Sequence, residues 1–134
     1  MLERTAVLLT DKVAIVTGGG GGIGRSISET FAAHGAKVVV AERDAQRAHD
    51  TVKAIQERGG TALASVVDVQ EKDQVAALTQ AALGAYGQID VLVNNVGDFL
   101  GARPFVRTTK DDWEALYRIN LKHVFYCTHA VAPP

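Results

Sequence analysis

Short, continuous apolar runs alternate along this chain with longer stretches in which apolar residues recur every three or four positions. The runs are Val13-Ala14-Ile15-Val16, Val38-Val39-Val40, Leu63-Ala64-Ser65-Val66-Val67 and Val91-Leu92-Val93. They are rich in β-branched residues and do not alternate with polar ones, which predicts strands covered on both faces. Between them, Ile23, Ile27 and Phe31 recur every fourth residue, while Ala45, Ala48, Val52 and Ile55, and then Val75, Leu78, Ala82 and Ala85, keep a three-four spacing. Each set predicts one face of a helix. The punctuation agrees: His34-Gly35, Gly59-Gly60 and Gly87 close the three helices, each just ahead of a strand. From about Thr109 the pattern turns helical again. Thr109 and Asp112 stand at capping-box spacing, with Asp in place of the better Glu. Leu116, Ile119, Val124, Phe125 and Val131 form the expected apolar face, and Pro133-Pro134 cannot continue it. Strand–helix–strand units with short connections predict an α/β fold, a doubly wound parallel sheet with helices on both faces and right-handed crossovers. No repeat, low-complexity tract or linker interrupts the pattern, so residues 1–134 are expected to form one unit.

Composition narrows the class without naming a chemistry. With 134 residues, 47% of them apolar, the chain can bury a substantial core. A net charge of −1 offers no basic stripe, so neither a nucleic-acid partner nor a membrane partner is expected. Cys127 is the only cysteine, which excludes an internal disulfide and makes a reducing cytoplasm the expected compartment. Ala6-Val7-Leu8-Leu9 is too short for a signal core or a membrane span, and charged Asp11-Lys12 follows at once, so it is expected to be a loose leading segment. His34, His49, His123 and His129 show no ligand spacing with carboxylates, and no metal site is expected.

The strongest chemical signal is Thr17-Gly18-Gly19-Gly20-Gly21-Gly22-Ile23-Gly24, placed between the first strand and the first helix. That context suits a dinucleotide: a backbone without Cβ atoms can turn sharply and approach a pyrophosphate closely. The phosphates then meet unpaired N–H groups and the positive end of the helix dipole. No Gly-x-x-x-x-Gly-Lys-Ser/Thr is present, which disfavours a nucleoside-triphosphate loop. Glu42 closes the second strand about 20 residues beyond the loop, where an acid receives the adenosine ribose hydroxyls. Its carboxylate would repel a ribose 2′-phosphate by about 4 kcal/mol per unit charge at ~4 Å and an effective dielectric near 20. NAD is therefore expected over NADP, although adjacent Arg43 could turn to meet such a phosphate. The fold so described is of the Rossmann type.

Four motifs in order give the chain a family likeness. Thr17-Gly-x-x-x-Gly22-Ile23-Gly24 resembles the glycine motif of the short-chain dehydrogenase/reductase family. Asp68-Val69 resembles its adenine-contacting pair after the third strand, and Asn94-Asn95-Val96-Gly97 its Asn-Asn-Ala-Gly motif, with Val in place of Ala. Asn120, in Ile-Asn-Leu, falls where that family carries the helix asparagine of its catalytic tetrad. The resemblance implies that Gly18, Gly20, Gly21, Gly22, Ile23 and Gly24 hold the pyrophosphate. It implies that Glu42, flanked by Arg43, holds the ribose, and that Asp68 and Val69 flank the adenine. Asn95 and Gly97 would stand beside the nicotinamide half. From the residues alone, turn chemistry accounts for Asp68 and Asn94 as well, and Asn120 reads equally as a polar residue inside a helix.

The implied activity is NAD(P)-dependent interconversion of an alcohol and a carbonyl by hydride transfer. A homodimer or homotetramer is implied through the last helical region, where Trp113, Tyr117, Phe125 and Tyr126 lie. The family also uses a serine and a Tyr-x-x-x-Lys pair. Here no lysine has a tyrosine four positions before it, and Ser26, Ser28 and Ser65 all lie in the first half. The chain is thus expected to be a truncated product or part of a longer protein, incomplete on the C-terminal side of the sheet. Val91-Leu92-Val93 would then form an exposed apolar edge. Phe99, Leu100 and Phe105 are candidates for substrate contact or for a surface loop. A non-catalytic dinucleotide-binding or scaffold protein is the alternative reading, and a methyltransferase with another adenosyl cofactor a more distant one.

Overall fold

The computed structural model describes residues 8–132. Along them run β1 (Val13–Thr17), α1 (Gly22–Ala33), β2 (Lys37–Glu42), α2 (Ala45–Glu57), β3 (Thr61–Val66), α3 (Lys72–Tyr86), β4 (Val91–Val93), α4 (Lys110–Tyr117), a π-helical stretch Arg118–Lys122, and α5 (His123–Val131). All strand pairs are parallel and the order is β3-β2-β1-β4. Val13 stands opposite Lys37, Lys37 opposite Thr61, and Ala14 opposite Val91. The chain winds outward from β1 to β3, then crosses back to the far side of β1. Winding reverses between β1 and β4, and a reversal of this kind opens a crevice at the carboxyl ends of the strands.

Alternation along β1 and β2 divides the core in two. Ile15, Val39 and Ala41 face Val75, Leu78 and Ala82 of α3 and Cys127 of α5. Val16, Val38 and Val40 face Ala32 of α1 and Ala48, Val52 and Ile55 of α2. The sheet is a doubly wound α/β sheet of Rossmann type, with helices on both faces. Each such aliphatic side chain contributes about 1.5–3 kcal/mol by leaving water. Only β1 and the middle of β2 are sealed on both faces, however. β3 and β4 stand at the two edges, and most of their residues are half-buried. Expecting equal burial for all four runs overlooked that an edge strand has a neighbour on one flank only.

The helices keep the expected period but not always the expected face. On α1 the buried residues are Gly24, Ser28 and Ala32, whereas Ile27 and Phe31 pack at the margin and Ile23 is 75% exposed. The helix lies so near the sheet that only small residues fit beneath it. A Cβ on Gly24 would collide with the Gly18 carbonyl and stand 2.6 Å from Asn95 Nδ2. Ser28 fills its space with a hydroxyl that donates to the carbonyls of Gly19 (3.2 Å) and Gly24 (3.0 Å). Ala45 and Ala85 likewise prove exposed.

In the last helical region the capping box forms as expected: Thr109 N–H donates to Asp112 Oδ2 at 2.8 Å and Asp112 N–H to Thr109 Oγ1 at 3.3 Å. Its apolar face is corrected. α5 buries His123 and Cys127, leaves Phe125 57% exposed, and Leu116, Ile119, Val124 and Val131 are only half-buried. The expectations placed on Ala6-Val7 and Pro133-Pro134 lie outside the described residues. Leu9 is not loose, since its N–H donates to the His34 carbonyl at 2.8 Å and its side chain packs on the α1–α2 side of the core. Among the described residues no helix is long and apolar enough to cross a membrane, and no three His, Cys, Asp or Glu side chains cluster as a metal site would need.

Gly24→Ala should destabilise the fold by about 3 kcal/mol, because the added methyl meets backbone that cannot yield. Gly84→Ala, in mid-α3 with open space around it, should stabilise by about 0.8 kcal/mol. Urea unfolding midpoints of the two variants, moving in opposite directions, would check the pair.

Candidate functional site

At the winding reversal, Thr17 closes β1 and is fully buried. Its Oγ1 donates to the Val93 carbonyl at 3.1 Å and accepts from Asn95 N–H at 2.9 Å. Asn95 returns the tie: its Nδ2 donates to the Thr17 carbonyl at 3.0 Å and reaches the Gly18 carbonyl at 3.4 Å. The exits of β1 and β4 are thereby stitched into one rim. Gly18 turns the chain there at φ +61°, and a Cβ on it would stand 2.9 Å from Asn95 Nδ2.

The loop then runs past the end of β2. Gly19 N–H donates to the Ala41 carbonyl at 3.2 Å, and Gly20 N–H to Glu42 Oε2 at 3.2 Å. The other Glu42 oxygen accepts from Asp44 N–H at 3.2 Å. Glu42 therefore faces the glycine loop and keeps lone pairs for further donors. Gly21 caps α1 with no side-chain hydrogen bond, and the first turn carries no acid. In contrast, α2 is capped by Asp44 and α4 by its capping box. The orphan N–H groups and positive dipole end of α1 stay free for an anion.

These groups converge on an open cavity of about 570 Å³. Of the expected cofactor residues, Gly18, Gly20, Gly21, Gly22, Glu42, Arg43, Asp68, Val69, Asn95 and Gly97 all line it. Ile23 and Gly24 do not: Ile23 projects outward, and Gly24 is buried beneath the loop, where its missing Cβ lets α1 approach. Asp68 also shows the turn chemistry expected of it, its Oδ1 accepting from Gln70 N–H at 3.0 Å. Arg25, Ala41, Arg47, Val67, Gln70, Val96, Asp98 and Ile119 complete the lining, and no sequence signal marks any of them as a ligand contact. Arg25 is committed to Glu29 at 2.7 Å, and that guanidinium holds the Glu29 carboxyl below its ordinary range.

Asn120 lies in the π-helical stretch and is not among the lining residues. Its Oδ1 accepts from Asp98 N–H at 3.1 Å, and its Nδ2 donates to the carbonyls of Asp98 (2.8 Å) and Leu116 (3.0 Å). The side chain clamps the loop after Asn95 against the helix, and neighbouring Ile119 reaches the cavity. One turn on, His123 is sealed from solvent, and among the described residues neither ring nitrogen has a hydrogen-bond partner. Burial lowers its pKa from the ordinary 6.5, opposed by the backbone of Val96 and Ile119 beside it. Burial among apolar side chains pushes the Cys127 thiol up to about 11, which disfavours its thiolate at neutral pH. Phe99, Leu100 and Phe105 are exposed, with Phe105 stacked on Trp113 at 6.1 Å between ring centres. The arrangement can hold an extended anionic ligand: diphosphate at the α1 N-terminus, a polyol at Glu42, a flat ring near Val67–Val69.

A family profile described as short chain dehydrogenase matches residues 12–134. The 7alpha-hydroxysteroid dehydrogenase of Escherichia coli (strain K12) is 39% identical over 133 residues, covering 99% of this chain and 51% of that protein. A 3-oxoacyl-[acyl-carrier-protein] reductase of Synechocystis is 41% identical over 128 residues, covering 92% of this chain and 50% of its own length. Among solved structures, a 7 alpha-hydroxysteroid dehydrogenase complexed with NADH and 7-oxo glycochenodeoxycholic acid superposes with a TM-score of 0.92 at 38% identity, over 99% of this chain and 51% of that one. A metagenomic short-chain oxidoreductase in complex with NADP gives 0.86 at 35% identity, over 93% and 57%. The chain spans about half the length of the curated relatives it matches.

His123 sets a pH dependence of stability. Its folded pKa lies below the ordinary 6.5, so on acidification the unfolded chain takes up a proton that the folded chain refuses. Stability is full above about 6.5 and should fall as pH drops from there toward the depressed folded value. His123→Gln should flatten that limb in urea unfolding between about pH 5 and 7; an unchanged slope would contradict the assignment.

Proposed function

The chain belongs to the short-chain dehydrogenase family, and from that membership we propose that it binds a nicotinamide dinucleotide, NAD in preference to NADP. We further propose that the whole protein interconverts a small-molecule alcohol and a carbonyl by hydride transfer. The observation that carries this is the meeting, in one cavity, of an uncapped helix N-terminus and a strand-end carboxylate. A diphosphate suits the first, and a ribose diol the second.

Each residue then has a task that follows from its position. The loop Gly18–Gly22 turns around the diphosphate, whose oxygens meet the backbone N–H groups of Gly21, Gly22 and the first turn of α1, Ile23 and Gly24 included. Glu42 accepts the ribose hydroxyls while its existing bonds to Gly20 and Asp44 keep it aimed at the loop. Asp68 and Val69 flank the adenine. Asn95 and Gly97 lie toward the nicotinamide, which when bound supplies or accepts the hydride. Asn120, which the family likeness marks as catalytic, acts here on the Asp98 peptide and so positions that same rim. Proton transfer to or from the substrate oxygen falls to residues outside these 134, which hold no Tyr-x-x-x-Lys pair. Half-exposed Trp113, Tyr117 and Phe125 on α4 and α5 suit association into a dimer or tetramer, and a cytoplasmic location suits the lone reduced cysteine.

Titrating the chain with NADH should enhance cofactor fluorescence. Glu42→Ala should raise the NADH Kd by roughly 10- to 100-fold, the worth of charge-assisted bonds to a diol. The same 134 residues should give no turnover with NAD and a panel of alcohols. Binding indifferent to Glu42, or turnover above background, would overturn the respective half of the proposal.

A further inference from the structure

Two hydroxyl groups grip the glycine loop from beneath. Ser28 of α1 and Thr51 of α2 are both fully buried, and neither lines the cavity. Ser28 Oγ donates to the Gly19 carbonyl at 3.2 Å, and Thr51 Oγ1 to the Gly20 carbonyl at 3.3 Å. Two successive carbonyls of the loop are thereby turned inward, each toward a different helix. Ser28 shares its single proton with the Gly24 carbonyl at 3.0 Å, whereas Thr51 spends its own on Gly20.

A trans peptide is planar, and its N–H points opposite to its C=O. A carbonyl drawn inward therefore sends the N–H of the next residue outward. The first of the two peptides shows this: with the Gly19 carbonyl on Ser28, the Gly20 N–H reaches Glu42 Oε2 at 3.2 Å. In the second, Thr51 holds the Gly20 carbonyl, so the Gly21 N–H is turned away from α2. Among the described residues no acceptor takes it. Gly21 lines the cavity and stands as the N-cap of α1. The loop rests directly on α2 here, since a Cβ on Gly20 would stand 2.9 Å from the carbonyl carbon of Arg47, one turn before Thr51.

Resting on the dinucleotide reading above, we propose that Thr51 is a positioning residue for the diphosphate: from α2 it locks the Gly20–Gly21 peptide in the orientation that aims the Gly21 N–H at a phosphate oxygen. Thr51 itself touches no ligand. Glycines give the loop its close approach but leave its peptides free to rotate. A flipped peptide would present the Gly20 carbonyl oxygen to the phosphate, replacing attraction by repulsion. The buried hydroxyl removes that freedom before the ligand arrives, so binding need not meet the cost of ordering the loop.

The test follows 5′-ADP and adenosine binding to the full chain by calorimetry and by amide chemical shifts in nuclear magnetic resonance. In the unaltered protein, 5′-ADP should move the Gly21 amide proton downfield. Thr51→Val, which keeps the β-branched shape and removes the hydroxyl, should weaken 5′-ADP by about tenfold, leave adenosine within about twofold and abolish that shift. Thr51→Ser should restore 5′-ADP to within about threefold of the unaltered protein. Equal losses for both ligands, no loss, or a serine that restores nothing would overturn the role of Thr51. A Gly21 amide indifferent to 5′-ADP bound by the unaltered protein would overturn it with no variant needed. Failure of 5′-ADP to bind the unaltered protein would instead overturn the dinucleotide reading, and this inference with it. Matching far-ultraviolet circular dichroism and thermal midpoints separate a loss of binding from misfolding.

Discussion

The closeness of α1 to the exits of β1 and β4 is the constraint on which the site depends. At that point a methyl group on Gly24 has no room, and one on Gly18 would press on Asn95. The space is instead spanned by polar ties: Thr17 to Val93 and Asn95, and Asn95 back to the Thr17 and Gly18 carbonyls. Buried donors and acceptors left unpaired would cost about 1–3 kcal/mol each, so their mutual satisfaction lets polar backbone crowd together under a helix. A looser contact would swing the α1 N-terminus away from Glu42 and separate the two groups that a dinucleotide needs together.

Charge around the cavity follows the same geometry. Asp44 caps α2, the Thr109–Asp112 box caps α4, and α3, without a side-chain cap, carries Asp73 in its first turn. At α1 the chain supplies glycine, leaving the dipole unneutralised. Glu42 is near enough to compensate but is turned to the N–H groups of Gly20 and Asp44. The rim thus carries a positive helix end, a partly satisfied carboxylate and, in Arg47, an arginine with a long ion pair.

Element sequence and most cavity residues were legible in the chain because they rest on local signals. β-Branched runs bounded by glycine mark strands, and a glycine run ahead of a helical period marks the loop. What stayed illegible depends on distance through space. The period of Ile23, Ile27 and Phe31 is helical, yet it misplaces the buried face, since apolar size signals burial only where room exists for it. Gly24, Ser28 and Ala32 win that face by being small. Arg47 was missed because its relevance arises only once α2 folds back over Gly20 and Gly21. Ile119 belongs to the expected apolar face, and nothing local shows that this residue borders an open cavity.

The helix from Thr109 carries the sharpest conflict between pattern and structure, and the conflict is informative. Its apolar residues predicted one continuous stripe, but five residues at Arg118–Lys122 adopt a π-helical turn. Beyond it, His123 and Cys127, one turn apart, share the buried face of α5, while Phe125, about 200° around the helix from His123, faces out. A π turn adds a residue without breaking the helix, and a side chain that bonds across it holds the widened turn in place. Asn120 does so, spending its amide on the Leu116 carbonyl and on both ends of the Asp98 peptide. The irregularity and the loop that borders the cavity are therefore one device.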